Sequence, residues 1–188
     1  MDRRELLRTI AALTGCAFVG AEPASALVYV QSVDMDSWFD SQIKLLDEIA
    51  ETILPRTDTP GAKDAKVGEF IARYAPACYT PAQIGALMYG LGEIDKRTRE
   101  AFGSNFLAAQ TEQRRELLVD IDKEAKHYVP PSGKTPEESP HYFVLLKQLT
   151  LYGFFTSESG ATQVLRYRPI PGAYKGSIPY KKGETSWS

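Results

Sequence analysis

Two histidines, His127 and His141, flank one loop of this 188-residue chain, and a pair of imidazoles is the beginning of a zinc site. A closed site needs four ligands, so carboxylates would have to complete it. The nearby acids pair badly: Asp120 with Asp122, or Glu137 with Glu138, stand one or two residues apart, and such neighbours do not share a helix face. The plainer reading is two surface histidines beside a loop. No serine sits in a Gly-x-Ser-x-Gly elbow. Gly90-Leu91-Gly92 lacks the third glycine and the preceding strand of a dinucleotide fingerprint. Cys16 and Cys78 are the only cysteines, too few for an iron–sulfur cluster, and neither belongs to a Cys-x-x-Cys-His haem attachment. The residues nominate no catalytic, cofactor-binding or metal-binding group.

The elements around these residues read as helices. From Asp36 to Leu54, the residues Phe39, Ile43, Leu46, Ile49, Ala50 and Ile53 recur at threes and fours, with Ser37 and Asp40 as a capping pattern and Pro55 as the stop. After the polar loop "PRTDTPGAKDA", Val67, Phe70, Ile71 and Tyr74 mark a second helix that Pro76 should end. Thr80-Pro81-Ala82-Gln83 is the cleanest helix start in the chain: a hydroxyl cap, proline in the first turn, and an amide able to reach back. Ile84, Leu87, Met88, Leu91, Ile94, Thr98 and Phe102 continue its stripe. Gly85, Gly90 and Gly92 weaken its propensity and allow a neighbour to approach, and Gly103 ends it.

A fourth helix follows with Thr111 as its cap, Leu117, Leu118, Ile121 and Ala125 inward, and the charges of "EQRRE" and "DIDKEAK" as a solvated face. Ser139-Pro140 opens a fifth, "HYFVLLKQLTLYGFF", which is apolar nearly all round and so belongs at the centre of the domain. The remainder holds one short helix at most, then a Pro, Gly and Tyr-rich tail from about residue 167. The expected fold is an all-α bundle of five helices.

Composition agrees: 43% apolar with 24% charged residues is globular, and a formal charge of −2 lacks the basic excess that a nucleic-acid partner would call for. Residues 27–188 make one domain of ordinary size.

Residues 1–26 read as an address. Arg3 and Arg4 form a basic start, Leu6 to Gly20 a modestly apolar run, and Ala24-x-Ala26 a peptidase site, the pattern of a twin-arginine export signal. The run is too short and too broken by glycine to span a bilayer. Three alternatives stay open: a short amphipathic helix with solvated arginines, lipoprotein processing at Leu13-Thr14-Gly15-Cys16, and an uncut tether. Cleavage after Ala26 leaves Cys78 without an internal partner, so it is expected as a buried thiol, the other option being an intermolecular bridge.

The twin-arginine route carries folded proteins, commonly loaded with a cofactor, and this chain offers nowhere to load one. The signal would then serve a companion that folds around its own cofactor and is carried across. The aromatic, proline-rich C-terminal segment suits docking, because tyrosines on a stiff backbone lose little freedom on binding. A tail folded back over its own helices is the competing account.

The twin arginines, the block "ILPRTDTPGAKDAKVGEFI" and the block "LTLYGFFTSESGATQVLRYRPIPGAYKG" resemble the gluconate 2-dehydrogenase subunit 3 family. Lys66 and Gly68 depart from it, standing where that family more often has Gly and Pro. The resemblance implies a non-catalytic small subunit, without a cofactor of its own. Its implied partners are a large FAD-dependent flavoprotein of the glucose–methanol–choline type, the twin-arginine translocase, and in many cases a multihaem cytochrome c subunit at the inner membrane. The implied location is the periplasm. The chemistry, oxidation of a sugar hydroxyl with hydride passing to FAD, would belong to the partner. The expected contact segment runs from Phe154 to Tyr174: Phe154, Phe155, Thr156, Glu158, Arg166, Tyr167, Arg168, Pro169, Pro171 and Tyr174. Within it, Arg166 and Arg168 can offer planar multi-donor hydrogen bonds. The rival functions are a stand-alone periplasmic enzyme or ligand-binding domain using His127, His141 and nearby acids, and a lipid-anchored scaffold held through Cys16.

Overall fold

The computed structural model describes residues 35–135, 138–170, 172–173, 176–179 and 181–187. It is an all-α bundle of α1 (Met35–Ile53), α2 (Val67–Cys78), α3 (Pro81–Phe102), α4 (Thr111–Lys126) and α5 (Tyr142–Phe155), followed by a π-helical turn at Gly160–Val164. Among the described residues there is no strand, only an isolated bridge between Arg166 and Trp187. Arg3, Arg4, Cys16, Ala24, Ala26, Pro171 and Tyr174 lie outside the described residues.

The centre is α5, as its all-round apolarity requires: it touches each of the other four helices and the π-turn. Tyr142, Phe143, Leu145, Leu146, Leu149 and Phe154 enter one core with Phe39, Leu46 and Ile49 of α1, Ile71 of α2, Leu87, Leu91 and Ile94 of α3, and Ile121 of α4. The crossing of α3 over α5 depends on Gly90, because a β-carbon there would clash with the Tyr142 side chain. Thr98, wholly buried, is tolerated because its hydroxyl donates to the Ile94 carbonyl at 2.6 Å.

Several boundaries differ from the sequence expectation, each for a local reason. Helix α1 already includes Ser37, so Ser37 is not its cap. Pro76 lies inside α2 instead of ending it. So near the terminus a proline removes one hydrogen bond, and the helix closes two residues later with the Tyr79 N–H on the Ala75 carbonyl. Thr111 is the first helical residue of α4 and Gln110 its cap position, with the Gln110 N–H donating to Gln113 at 2.9 Å. Ser139 does not start α5, because it closes a turn onto the Thr135 carbonyl; the cap is His141. The Thr80–Gln83 capping box and the left-handed Gly103 end of α3 are present as expected.

The α4 charges are more than a solvated face. Arg114 reaches Glu48 of α1 and the carbonyl of Phe106, Glu124 takes Arg97 of α3, and Asp122 takes Lys147 of α5. Asp120 pairs with Lys123 instead, so the two aspartates act separately.

The loop before α2 is a clasp. Glu51 accepts the backbone N–H groups of Arg56 and Lys63, at 3.0 and 2.9 Å. Asp64 accepts the Gly61 N–H and a two-pronged Arg56 contact. At its end Lys66 adopts φ 53°, the only positive φ at a non-glycine among the described residues. A left-handed lysine is strained by its β-carbon. The Gly68 N–H in turn donates to Asp47 at 2.9 Å, a bond a proline could not make. Burial pushes the Asp47 carboxyl above the usual carboxylate range, and that Gly68 bond opposes the shift. Replacing Lys66 by Gly is expected to stabilise the fold by about 0.5–1 kcal/mol in urea denaturation, since only a long, exposed contact with Glu69 is lost.

Candidate functional site

The helix at the centre of the bundle is not covered on all sides. Val144, Gln148, Leu151, Tyr152 and Phe155 recur at helical spacing along the outward side of α5 and are exposed, and none is charged. An apolar stripe exposed on a central helix is a candidate contact surface. Helix α2 widens it. Gly153 lets the Phe70 ring lie directly on α5, where a β-carbon would come within 2.6 Å of that ring. Phe70 stacks on Tyr74 at 5.1 Å, and Tyr152 meets both edge-on, at 5.6 and 5.3 Å. Tyr79 continues the series from Tyr74 at 6.1 Å. Shallow grooves of about 200 and 430 Å³ flank Tyr74, the first floored by Leu149 and the second bordered by Cys78. Burial raises the pKa of the Tyr74 and Tyr79 hydroxyls, so both stay neutral at physiological pH.

The expected contact segment divides. Phe154 is 1% exposed and belongs to the core, which corrects its assignment as a partner anchor; the next residue, Phe155, is the one on the surface. The helix turns by about 100° per residue, which here carries the Phe154 ring into the core and the Phe155 ring to the surface. Thr156 caps the end of α5, its hydroxyl donating to the Tyr152 carbonyl at 2.6 Å. Glu158 is exposed, and its carbonyl accepts the Thr162 hydroxyl at 2.7 Å. Tyr167, Arg168, Pro169 and Ile170 are exposed. Arg166 is engaged by the chain's own C-terminal end: it binds Glu184 at 2.6 Å and the Thr185 carbonyl at 2.9 Å, and its guanidinium lies 4.7 Å from the Trp187 ring centre. The tail therefore does fold back at this point, while Tyr167 to Ile170 remain outside.

Val144, Leu151, Tyr152, Phe70, Tyr74 and Tyr79 were not in the expected segment. The sequence carried their signal in the all-round apolarity of α5, which read as complete burial. Cys78 is exposed, not buried, because α2 continues through Pro76 and carries it to the surface at the last turn.

The two histidines act separately. His127 is exposed and its Nδ1 lies 2.8 Å from the Lys123 carbonyl. His141 accepts the Phe143 N–H and sits in a groove of about 460 Å³ between α3, α4 and the start of α5, with Arg97, Glu124, Tyr128 and Tyr142. Glu124 and Arg97 hold each other through two hydrogen bonds, which lowers the carboxyl's pKa and raises the guanidinium's. Gly90 and Gly92 lie within α3, so they cannot form the strand-to-helix turn that cradles a dinucleotide phosphate. Among the described residues no three His, Cys, Asp or Glu side chains gather as a metal site, and no helix is long and apolar enough to cross a membrane.

No curated protein and no solved structure matches the chain. The family model described as gluconate 2-dehydrogenase subunit 3 matches residues 40–172. That span holds all five helices apart from the first residues of α1, the clasp loop, the α2–α5 aromatic face and the exposed Tyr167–Ile170 segment, so the chain belongs to the gluconate 2-dehydrogenase subunit 3 family.

Proposed function

We propose that the chain is the accessory small subunit of an exported, flavin-dependent sugar or sugar-acid dehydrogenase. It binds the large flavoprotein subunit and supplies the twin-arginine signal that carries both to the periplasm. The observation that carries the docking role is the uncharged face of α5, with Tyr152 and Phe155 exposed beside the ring cluster of α2. Family membership makes a dehydrogenase complex the setting. Hydride transfer belongs to the partner's FAD, and a multihaem cytochrome c subunit is the expected electron acceptor where one is present. In the complex, Tyr152 and Phe155 act as amphipathic anchors, while Tyr167 and Ile170 extend the contact along the tail.

The test is co-purification of the tagged chain from its native host. The expected result is a flavoprotein travelling with it, and dehydrogenase activity that follows the pair and not the chain alone. A double Leu151→Ser, Tyr152→Ser variant should lower partner affinity roughly thirtyfold or more while leaving the helical circular dichroism unchanged, because both side chains already face water. Undiminished capture by that variant would move the docking surface elsewhere. Catalytic activity in the isolated chain would overturn the accessory role.

A further inference from the structure

Helix α5 begins with an unusual acceptor. The Phe143 N–H, one of the donors that a helix start leaves without an intrahelical partner, is taken by Nδ1 of His141 at 3.2 Å. The ring is fixed in place: it stacks on Tyr142 at 4.4 Å and meets Tyr128 edge-on at 5.2 Å. Tyr128 is in turn 3.3 Å from the Ser139 hydroxyl, which ties the end of α4 to the segment leading into α5.

Only a neutral imidazole can do this, since a protonated ring carries a hydrogen on both nitrogens and has no lone pair to offer. We infer that His141 is an acid-operated latch: neutral, it caps α5 and holds the loop against α3 and α4; protonated, it releases the first turn of α5 and the Tyr128–Ser139 tie. The surroundings set the direction. The positive end of the α5 dipole and the Arg97 guanidinium oppose a cation at this position. Glu93 of α3 and Glu124 of α4 favour one, but Glu124 is already bound through both oxygens to Arg97. Tyr128, just beyond α4, presents its ring, and burial raises the pKa of Tyr142 of α5, so that hydroxyl adds no charge. Burial is the largest influence and holds the imidazole below its ordinary pKa, with Arg97 adding to it and Glu124 opposing. The opened chain therefore binds the proton more readily than the closed one. The cap is fully present above the ordinary histidine pKa of about 6.5 and is progressively lost as pH falls below it.

The experiment is amide hydrogen exchange on the full chain from pH 7.5 to 5, corrected for intrinsic exchange rates. Protection of the Phe143 amide is expected to fall about tenfold relative to His141→Asn, in which the amide side chain caps without titrating and the profile stays flat. His141→Ser, a second cap without a titrating ring, should give the same flat profile if the Asn variant folds poorly. The only other histidine is His127, and His127→Asn should retain the wild-type acid response. The same acid loss in the His141→Asn and His141→Ser variants, or its disappearance in His127→Asn, would overturn the latch. Because α5 also carries the proposed docking face, the complex should loosen over the same range; that consequence rests on the accessory reading, whereas the amide measurement on the chain alone does not.

Discussion

Phe154→Ala is expected to cost about 3–5 kcal/mol of folding stability, whereas Phe155→Ala, one residue on, should cost under about 1 kcal/mol and instead weaken the partner complex. The two rings touch edge-on at 5.2 Å, yet one is 1% exposed and the other 37%. Removing the Phe154 ring, which is 1% exposed and part of the single core cluster, leaves a cavity that the surrounding helices can only partly close. Since a domain of this size has about 5–15 kcal/mol of stability in all, the variant should populate unfolded chain under mild denaturant. Urea denaturation separates the two effects, because a stability loss shifts the midpoint while the slope stays constant. Partner titration then reads Phe155, where loss of a central aromatic anchor weakens binding by about 2 kcal/mol, roughly thirtyfold. The reverse pattern, a stable Phe154→Ala and an unfolded Phe155→Ala, would mean that the rotation of α5 about its axis is wrong.

That pair also shows what the sequence could and could not carry. The helix itself was legible from composition alone, as were the capping box at Thr80 and the glycine end at Gly103, because each is a local preference of a few adjacent residues. The core stripe of α3 followed from periodicity. Which side of α5 faces outward was not legible, because with apolar residues at nearly every position no period distinguishes Phe154 from Phe155. Only the placement of α2 and the π-turn decides it. The loop "PRTDTPGAKDA" reads only as polar, yet Glu51 and Asp64 turn it into a clasp through partners up to twelve residues away. The role of His141 was hidden for a similar reason: Ser139-Pro140 carries the stronger local start signal, and the Thr135 turn removes Ser139 from competition. The strained Lys66 was not legible, because a left-handed residue at the entry to α2 leaves no mark in the helix pattern.

Replacing both Arg3 and Arg4 by Lys is expected to have the largest functional effect, stranding the chain and its flavoprotein partner together in the cytoplasm. Lysine keeps the positive charge of the segment but loses the planar, five-donor guanidinium, so a loss of export in this variant reports recognition of the arginine pair rather than general basicity. The dehydrogenase should still assemble, because the α2–α5 face and the tail are far along the chain from residues 3 and 4. Cell lysate is then expected to keep its activity toward the sugar substrate while the periplasmic fraction falls to the level of a strain lacking this chain. Ala24 and Ala26 supply the contrast. Substituting both with a bulky residue should block peptidase cutting without blocking passage, leaving the complex tethered to the inner membrane on its outer face. Unchanged periplasmic flavoprotein in the paired-lysine strain would separate export from docking, and this chain would then be a subunit of the complex without being its escort.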